Sequence, residues 1–383
     1  MLVYQPDVQS KYSDMDANLR FHWMLPKGGE VAMKTAQETN RVLTTLSSSP
    51  AALPDMQGWV KFAQSAEQSG IESVLLSFSR YEPDTILIAC AVGAATTSLK
   101  FIVAYRMGLM QPTTFVQQIN TLSGLIGGRV ALNVVAGSSA AEQRGYGDFL
   151  DHDERYARAD EFLTICRGLW NRTGEVNFTG KYCRVEGAQL NTPFLAPSRR
   201  FPEIYVSGHS EQAQRLALAC GSSWLRLIDT PEKLAPSVRS FREQGIEVSL
   251  RLAIICRETH EEAVKAARAM LPDEEISRQE RAILSGSDSQ TLKQALAAAD
   301  EVGWLNRNLW AGLVPYYGSS AVTLLGSPEE LAEIFLEYKR IGITQFIISG
   351  WPKLDEMIIF GHEVLPLIRR TERASMSSAK RTE

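Results

Sequence analysis

The stretch KRIGITQFIIS, residues 339–349, joins the end of a helical pattern through Gly-Ile to a short apolar run. Two other segments repeat this arrangement, EQSGIESVLLS (67–77) and EQGIEVSLRLAII (243–255). In each segment the glycine stands where a helix needs a left-handed residue to end, and the apolar run that follows at once predicts a strand. The three segments therefore predict repeated helix-to-strand units, which are one half of a βαβ motif.

Strand candidates alternate with helical patterns along the whole chain. Strands are expected near residues 19–25, 72–77, 100–106, 130–136, 203–207, 222–227, 247–256 and 344–349. Helices are expected near 56–68, 84–95, 113–126, 157–171, 210–219, 231–243, 260–270, 328–340 and 354–367. No Gly-x-Gly-x-x-Gly turn follows the first strand, so the pattern favours a closed barrel over a dinucleotide-binding sheet. The predicted fold class is α/β, a (β/α)8 TIM barrel.

Two long segments interrupt this alternation. Residues 172–202, after the fourth helix, include NFTGKYCRVEGAQL, which predicts a small hairpin. Residues 271–326, between the seventh and eighth strands, are expected to form an active-site lid, because such long loops in a compact fold are usually functional. The barrel itself is expected over residues 18–370, between an N-terminal extension (1–17) and a disordered tail (371–383).

The composition suits a protein that acts on small molecules. The 383 residues carry a formal net charge of −4, which argues against binding to nucleic acid or to anionic lipid. The five cysteines are scattered singly, and no apolar run approaches the roughly 18 residues that cross a membrane. The polar N-terminus is not typical of a signal peptide, so a cytoplasmic location is expected.

Polar residues at the ends of the predicted strands are the first site candidates, because barrel active sites form there. The tetrapeptide Ser207-Gly208-His209-Ser210 joins a strand to a helix, and backbone N–H groups at such a helix start bind phosphate. A simple serine N-cap is the alternative reading of the same residues. Asn133 interrupts the buried run VALNVV and needs a partner for its amide. Two carboxylates flank His152, but no second histidine lies near it, so no metal site is predicted.

Seven motifs follow one another along the chain. They are FHWMLPKGG (21–29), SLKFIVAYR (98–106), GGRVALNVVAGSS (127–139), FLDHDERYARADEF (149–162), LRLAIICRETHEEA (250–263), NLWAG (308–312) and FIISGWPKLDE (346–356). With them the chain resembles the bacterial luciferase-like flavin-dependent monooxygenases, most closely the FMNH2-dependent alkanesulfonate monooxygenases. The resemblance implies a TIM barrel that binds reduced FMN at the strand ends and uses O2 through a flavin C4a-(hydro)peroxide.

The resemblance also implies roles for ten residues. Those that would hold the FMN phosphate, or lie in the loop that holds it, are Tyr156, Ser207, Gly208, His209 and Ser210. Those that would line the flavin ring and ribityl chain are Ser77, Ala104, Arg106, Asn133 and Gly137. A non-prolyl cis peptide often follows the position of Ala104 in this superfamily. An NAD(P)H-dependent flavin reductase that supplies FMNH2 is the implied partner, and a homodimer or homotetramer is the implied assembly.

Several positions depart from the sulfonate-cleaving enzymes. Glu82 stands in place of their cysteine after the second strand, and Tyr317 in place of their lid arginine. Trp351 and Lys353 stand in place of a tyrosine and a histidine after the last strand, whereas Arg251 is kept. These five residues are the candidates for catalysis and substrate contact. Because a buried sulfonate needs several fixed donors, the changes predict a larger and less anionic organic substrate.

Three other functions stay open at this point. The first is desulfonation of alkanesulfonates in spite of the changed residues, which sulfite release would reveal. The second is deazaflavin-dependent hydride transfer on the same barrel, which would proceed without oxygen. The third is flavin binding without catalysis.

Overall fold

The computed structural model describes residues 17–27, 31, 55–80, 82–137, 139–271, 289–301 and 303–379 of the chain. Eight parallel strands form the centre. With strands numbered in chain order, these are β1 (Arg20–Met24), β2 (Ser73–Leu76), β3 (Lys100–Tyr105), β4 (Val130–Val134), β7 (Glu203–Ser207), β8 (Ser223–Leu227), β9 (Glu247–Cys256) and β12 (Gln345–Gly350). Each overlaps a range that the sequence predicts, with ends that differ by at most two residues.

The eight strands close into a ring. Each pairs in parallel with the next, and β12 completes the circle by pairing with β1, where Arg20 lies opposite Gln345. Every residue of β2 and of β4 is buried, as expected for a parallel sheet that helices cover on the outside. The predicted (β/α)8 barrel is therefore confirmed.

Helices surround the barrel, and their ends follow the sequence signals. They are α1 (Met56–Gln68), α2 (Thr85–Gly93), α3 (Pro112–Leu125), α4 (Ala140–Gly145), α5 (His152–Asn171), α6 (Glu211–Cys220), α7 (Pro231–Glu243), α8 (His260–Arg268), α9 (Gln290–Glu301), α10 (Val314–Tyr317), α11 (Pro328–Arg340), α12 (Lys353–Ile359) and α13 (Leu365–Ala379). The three glycines of the repeat have φ of 73°, 78° and 101°, which confirms their left-handed role (Gly70, Gly245 and Gly342). Helix α5 begins earlier than expected because Asp151 and Glu154 form a capping box.

A polar network fills the amino-terminal end of the barrel. The Arg20 guanidinium lies 2.7 Å from a Glu72 carboxylate oxygen and 2.8 Å from one of Glu203. Beside them the fully buried His22 ring contacts Ser73 and lies 3.0 Å from Gln345 Oε1. These groups satisfy one another at the end of the barrel opposite to the strand C-termini, so they act on stability and leave the other end for a ligand.

The two insertions take different forms. Within residues 172–202, β5 (Val176–Thr179) and β6 (Arg184–Ala188) form the predicted antiparallel hairpin. In the second insertion, residues 272–288 and 302 lie outside the described part of the chain. The remainder contains α9, β10 (Leu309–Trp310), α10, a 3-10 turn (Ser319–Ala321) and β11 (Thr323–Gly326). Strand β11 pairs with the last four residues of β9, which anchors this insertion at the carboxyl end of the barrel.

The C-terminus differs from the expected disordered tail. A π-helical turn (Phe360–Val364) leads from α12 into α13, which is helical as far as Ala379. The physical reason is Glu372, which is buried, accepts a hydrogen bond from the Leu19 N–H and pairs with Lys339 at 2.8 Å. Residues 1–16 and 380–383 are outside the described ranges. Among the helices that the structure describes, none has the length and apolar character needed to cross a membrane.

Candidate active site at the carboxyl end of the barrel

A cavity of about 310 Å³ opens at the carboxyl ends of the strands. All ten residues for which the resemblance implies cofactor contact line it, namely Ser77, Ala104, Arg106, Asn133, Gly137, Tyr156, Ser207, Gly208, His209 and Ser210. They come from strands, from the loops that follow them and from a helix, so only the folded chain brings them together. Of the five catalytic candidates, Arg251 lines the same cavity.

The loop after β7 has the geometry of a close backbone approach. Gly208 has φ of +134°, and a Cβ atom there would lie 2.6 Å from Tyr156 Oη and 2.7 Å from Ala213 Cβ. Tyr156 Oη donates to the Ser207 carbonyl oxygen at 3.2 Å, and Ser210 Oγ caps α6 by accepting from the Ala213 N–H at 3.3 Å. Ser210 is thus a simple N-cap and also part of the cavity wall, so the two interpretations of this tetrapeptide are compatible.

The side chain of Trp224 contacts the loop after β7. Its Nε1 donates to the Gly208 carbonyl oxygen at 2.7 Å, and its ring stacks on His209 with 6.2 Å between centroids. The Arg226 guanidinium carbon lies 4.9 Å from the centre of the same indole system. Burial lowers the pKa of Arg226 to about 10, and burial together with the nearby Arg226 charge lowers the pKa of His209. A neutral His209 beside a cationic Arg226 leaves one positive charge next to the loop.

Arg226 is a lining residue that the sequence analysis missed. The signal was present, because a charged residue near the end of the apolar strand SWLRL is unusual. Its buried Nε has no hydrogen-bond partner among the residues that the structure describes. An anion beside the loop would supply the missing acceptor.

Asn133 has a protein partner. Ser207 Oγ donates to its side-chain Oδ1 at 2.6 Å, which joins β4 to the loop after β7. The amide that is unexpected in a buried strand is therefore half satisfied without a ligand. Its Nδ2 group donates to none of the described residues and remains for a group in the cavity.

Arg106, in the cavity wall, has buried N–H groups that lack a hydrogen-bond acceptor among the described residues. The residue is 4% exposed, and its Nη2 pairs with Glu142 Oε2 at 2.9 Å. The guanidinium carbon lies 5.0 Å from the Phe78 ring centre and 5.5 Å from that of Tyr146. Its Nε and Nη1 have no hydrogen-bond partner within the described ranges. Two buried donors without acceptors fit a ligand edge that is rich in carbonyl oxygens or ring nitrogens, as the flavin ring is.

Glu82 lies just behind the wall. Ser77 Oγ, at the cavity, donates to Glu82 Oε1 at 2.6 Å, and Lys27 Nζ lies 3.4 Å from the same oxygen. Glu82 therefore reaches the cavity through the Ser77 hydroxyl and is placed to orient it. Its geometry is that of a positioning residue.

Trp351, Lys353 and Tyr317 do not line the cavity. Trp351 packs in a separate apolar cluster, with the Tyr317 ring 5.3 Å away and Lys353 Nζ 4.9 Å from its indole. Tyr317 Oη donates to the Met270 carbonyl oxygen at 2.8 Å. The aromatic side chains thus fill space beneath the insertion, because their large apolar area is buried against Leu313 and Leu325. These three candidates for catalysis and substrate contact therefore lie outside the described lining of the cavity, and their roles stay predictions.

Backbone geometry adds one correction. Among the described residues, the cis peptide bond is Trp351–Pro352, and no cis bond follows Ala104. Strand β3 instead keeps a regular parallel register with β4 through Tyr105 and Val134.

The second insertion contributes a further part of the wall. Residues 289–291, at the start of α9, and Ser319 and Ser320, in the 3-10 turn, face the same cavity. Their side chains are neutral and polar. The expectation of an active-site lid agrees with this position and stays a prediction about movement.

The chain matches one family model and is similar to several solved structures. The model of a family described as luciferase-like monooxygenase matches residues 19–345. A riboflavin lyase, solved with modified FMN and its substrate riboflavin, is 21% identical with a TM-score of 0.72, and the match covers 92% of both chains. EDTA monooxygenase from Chelativorans sp. BNC1 is 21% identical with a TM-score of 0.72, and the match covers 92% of this chain and 94% of that one. A long-chain alkane monooxygenase is 19% identical, with a TM-score of 0.67 and 92% of both chains covered.

Proposed function

Because the chain belongs to the luciferase-like monooxygenase family, we propose that it is an FMN-dependent monooxygenase that binds the reduced cofactor in the cavity at the carboxyl end of the barrel. The observation that carries this proposal is the convergence on one cavity of all ten residues that the family resemblance implies. The unmet donors of Arg106 and the close approach at Gly208 are independent features of the same wall that fit FMN.

The phosphate end of the cofactor belongs at the loop after β7. There the Ser210 hydroxyl and the backbone N–H groups at the start of α6 offer donors. The Ser207 and Tyr156 hydroxyls lie in the same wall and would donate to the phosphate by turning from Asn133 and from the Ser207 carbonyl oxygen. Arg226 adds a buried positive charge, and Gly208 leaves the space that a side chain would fill. Arg106 and the Asn133 Nδ2 offer donors to the ring and ribityl portions.

Reduced FMN, when bound, supplies the electrons that activate O2 for oxygen transfer to an organic substrate. The chain's own part is to hold the cofactor, to orient donors around it, and to keep bulk water away. Ser77, held by Glu82, is a fixed hydroxyl at the ring side of the cavity. Arg251 keeps a buried positive charge on the opposite side, where burial lowers its pKa to about 10, so that it stays protonated at neutral pH.

Delivery of FMNH2 by a separate NAD(P)H-dependent flavin reductase is part of the proposal. It is supported by the lack of a dinucleotide-binding Gly-x-Gly-x-x-Gly turn after the first strand of the sequence. We also propose that the enzyme works as a homodimer or homotetramer and that its substrate is not a simple alkanesulfonate. Glu82 supports the last point, because it stands in place of the cysteine of the sulfonate-cleaving enzymes and contacts Ser77 in the cavity wall.

The test is a coupled assay with a flavin reductase, NADH and FMN under ¹⁸O2. We expect FMN-dependent incorporation of one labelled oxygen atom into a product once a substrate is supplied. Sulfite release from alkanesulfonates would identify the desulfonation alternative instead. Tight binding of a reduced deazaflavin with no binding of FMNH2 would reassign the cofactor and defeat the proposal.

A further inference from the structure

The cavity has two sides, which the order of the barrel strands defines. The loop after β7 lies in the middle, with β4, β3 and β2 on one side and β8 and β9 on the other. The residues proposed to contact the flavin ring, such as Ser77 and Arg106, all belong to the first side. Neighbouring strands are about 4.8 Å apart, so β9 lies roughly two strand spacings from the loop in the other direction. The second side is the space that a substrate can use.

The wall of this second side contains unused hydrogen-bonding groups. Gln290 and Thr291 from α9, and Ser319 and Ser320 from the 3-10 turn, line the cavity there. None of these four side chains has a hydrogen-bond partner among the residues that the structure describes. Gln290 is exposed to solvent, but the Thr291, Ser319 and Ser320 hydroxyls are half-buried in one wall, and these three favour a ligand with hydrogen-bonding atoms of its own.

Arg251 is the cation on this side, and few of its N–H groups are left to bind an anion. Arg251 Nη1 donates to the Leu252 and Ile347 carbonyl oxygens at 2.6 and 3.2 Å. Its Nη2 donates to Met24 Sδ at 2.9 Å and to Ser349 Oγ at 3.3 Å. A sulfonate or carboxylate is bound well only where free N–H groups converge on it, and here both terminal nitrogens are already engaged.

The charged residues of the cavity wall also argue against an anionic substrate. The described wall holds three arginines and no carboxylate, and Arg106 is neutralised by Glu142. Within the described ranges, Arg226 and Arg251 have no ion-pair partner. A phosphate monoester carries a charge of about −2 at neutral pH, so the phosphate of FMN at the loop after β7 would balance Arg226. Arg251 keeps its charge, but its terminal N–H groups already donate to protein atoms and do not converge on a substrate anion.

From these observations we infer that the substrate binds between β9 and two segments of the second insertion, the start of α9 and the 3-10 turn. We infer further that it is a neutral molecule with several hydroxyl, amide or carbonyl groups. This inference rests on the proposed function, because it assigns the other side of the cavity to FMN. It excludes alkanesulfonates as the natural substrate class. Leu225 and Leu227 of β8, which line the same side, would pack against the carbon skeleton of such a molecule.

The experiment is a binding screen by saturation-transfer NMR on the FMN-loaded protein, after an FMN titration. The neutral polar probes are uridine, caprolactam and ribitol; the anionic probes are octanesulfonate and benzoate; the apolar probe is toluene. We expect signals from the neutral polar set. The double variant Ser319→Ala/Ser320→Ala should weaken their binding about tenfold, because each lost hydrogen bond costs a few-fold in affinity.

Matched controls separate the possible outcomes. Thr291→Val preserves shape and should weaken the same probes, whereas Ser240→Ala, at an exposed serine of α7, should change nothing. All three variants should keep wild-type affinity for FMN. Three results would overturn this inference and leave the proposed function standing. They are stronger signals from octanesulfonate, benzoate or toluene, no signal from the neutral set, and no effect of the Ser319/Ser320 variant. Failure of the protein to bind FMNH2 in an anaerobic titration would overturn the proposed function and this inference with it.

Discussion

The contact between Asn133 and Ser207 links two strands at the point where the cofactor is proposed to bind. Asn133 is 5% exposed, and its Oδ1 accepts the Ser207 hydroxyl at 2.6 Å. The pair fixes the start of the loop after β7 relative to β4. We expect Asn133 to affect ligand binding more than folding, because the Nδ2 of its amide remains for a group in the cavity that it lines.

Asn133→Ala should therefore weaken FMNH2 binding by about tenfold or more, since it frees the Ser207 hydroxyl and removes a donor. The measurement is an anaerobic fluorescence titration, with stability followed by urea unfolding. Asn120→Ala is the matched control, because Asn120 is equally buried and bonds Trp170 Nε1 at 2.9 Å away from the cavity. The control should lose stability and keep its affinity. Equal affinities of Asn133→Ala and wild type would return Asn133 to a purely structural role.

Gly208 offers a second test at the level of one residue. Gly208→Ala introduces a Cβ 2.6 Å from Tyr156 Oη at a backbone with φ of +134°, so we expect it to displace Tyr156 and to abolish FMN binding. Gly147 also has positive φ, +77°, but none of the described atoms lies within 4 Å of the position that a Cβ would take there. Gly147→Ala should carry a comparable backbone strain of about 1–3 kcal/mol and leave FMN affinity intact. Loss of binding in both variants would show that strain alone explains the effect.

At the scale of elements, the second insertion is held by apolar packing as well as by strand pairing. Trp351, which follows β12, packs against Tyr317 of α10, and the 3-10 turn with Ser319 and Ser320 comes directly after. Strand β11 adds parallel pairing with the end of β9. The aromatic cluster thus positions the polar segments that face the cavity.

Trp351→Ala should lower the free energy of unfolding by about 3–5 kcal/mol, because it leaves a large cavity in this cluster. The folded fraction should keep FMN affinity within about threefold of wild type. Urea unfolding and an FMN titration on the same sample check the two parts. A variant of unchanged stability that loses FMN binding or turnover would show that Trp351 acts at the site itself.

The sequence predicts elements well and some side-chain positions poorly, for physical reasons. Strand positions follow from local apolar runs and from glycines such as Gly342 that end helices, and both signals lie within a few residues. The same holds for the loop from Ser207 to Ser210, which is a continuous segment. Position along the chain suggests that Trp351 and Tyr317 face the cavity, but where their rings pack depends on contacts between distant segments. Arg226 was missed because its role depends on Trp224 and on a loop from another strand.

At the scale of the whole molecule, the barrel separates stability from function. The network of Arg20, Glu72 and Glu203 closes the amino-terminal end, and the cavity opens at the carboxyl end. Burial alone would raise the pKa of Glu203, but the hydrogen bond and charge of Arg20 lower it to about 2. Burial lowers the pKa of His22 to about 4.

The pH dependence of Glu203→Gln tests this network. A carboxyl with a depressed pKa stabilises the fold above its unfolded pKa of about 4.5, and the contribution is lost as the pH falls toward 2. Glu203→Gln should therefore be less stable than wild type by roughly 3 kcal/mol at pH 7, and the gap should narrow below about pH 4.5. Urea unfolding of both proteins from pH 7 to 3 gives the difference. A gap that stays constant with pH would exclude the ion pair as its cause.

The central claim is that the cavity at the carboxyl end of the barrel binds reduced FMN through the loop from Ser207 to Ser210. The most direct measurement is an anaerobic titration of the full-length protein with FMNH2, repeated with Ser207→Ala/Ser210→Ala. We expect saturable binding of one FMNH2 per chain and a loss of at least tenfold in affinity for the double variant, which remains folded. Absence of FMNH2 binding to the wild type, or equal affinities of the two folded proteins, would contradict it.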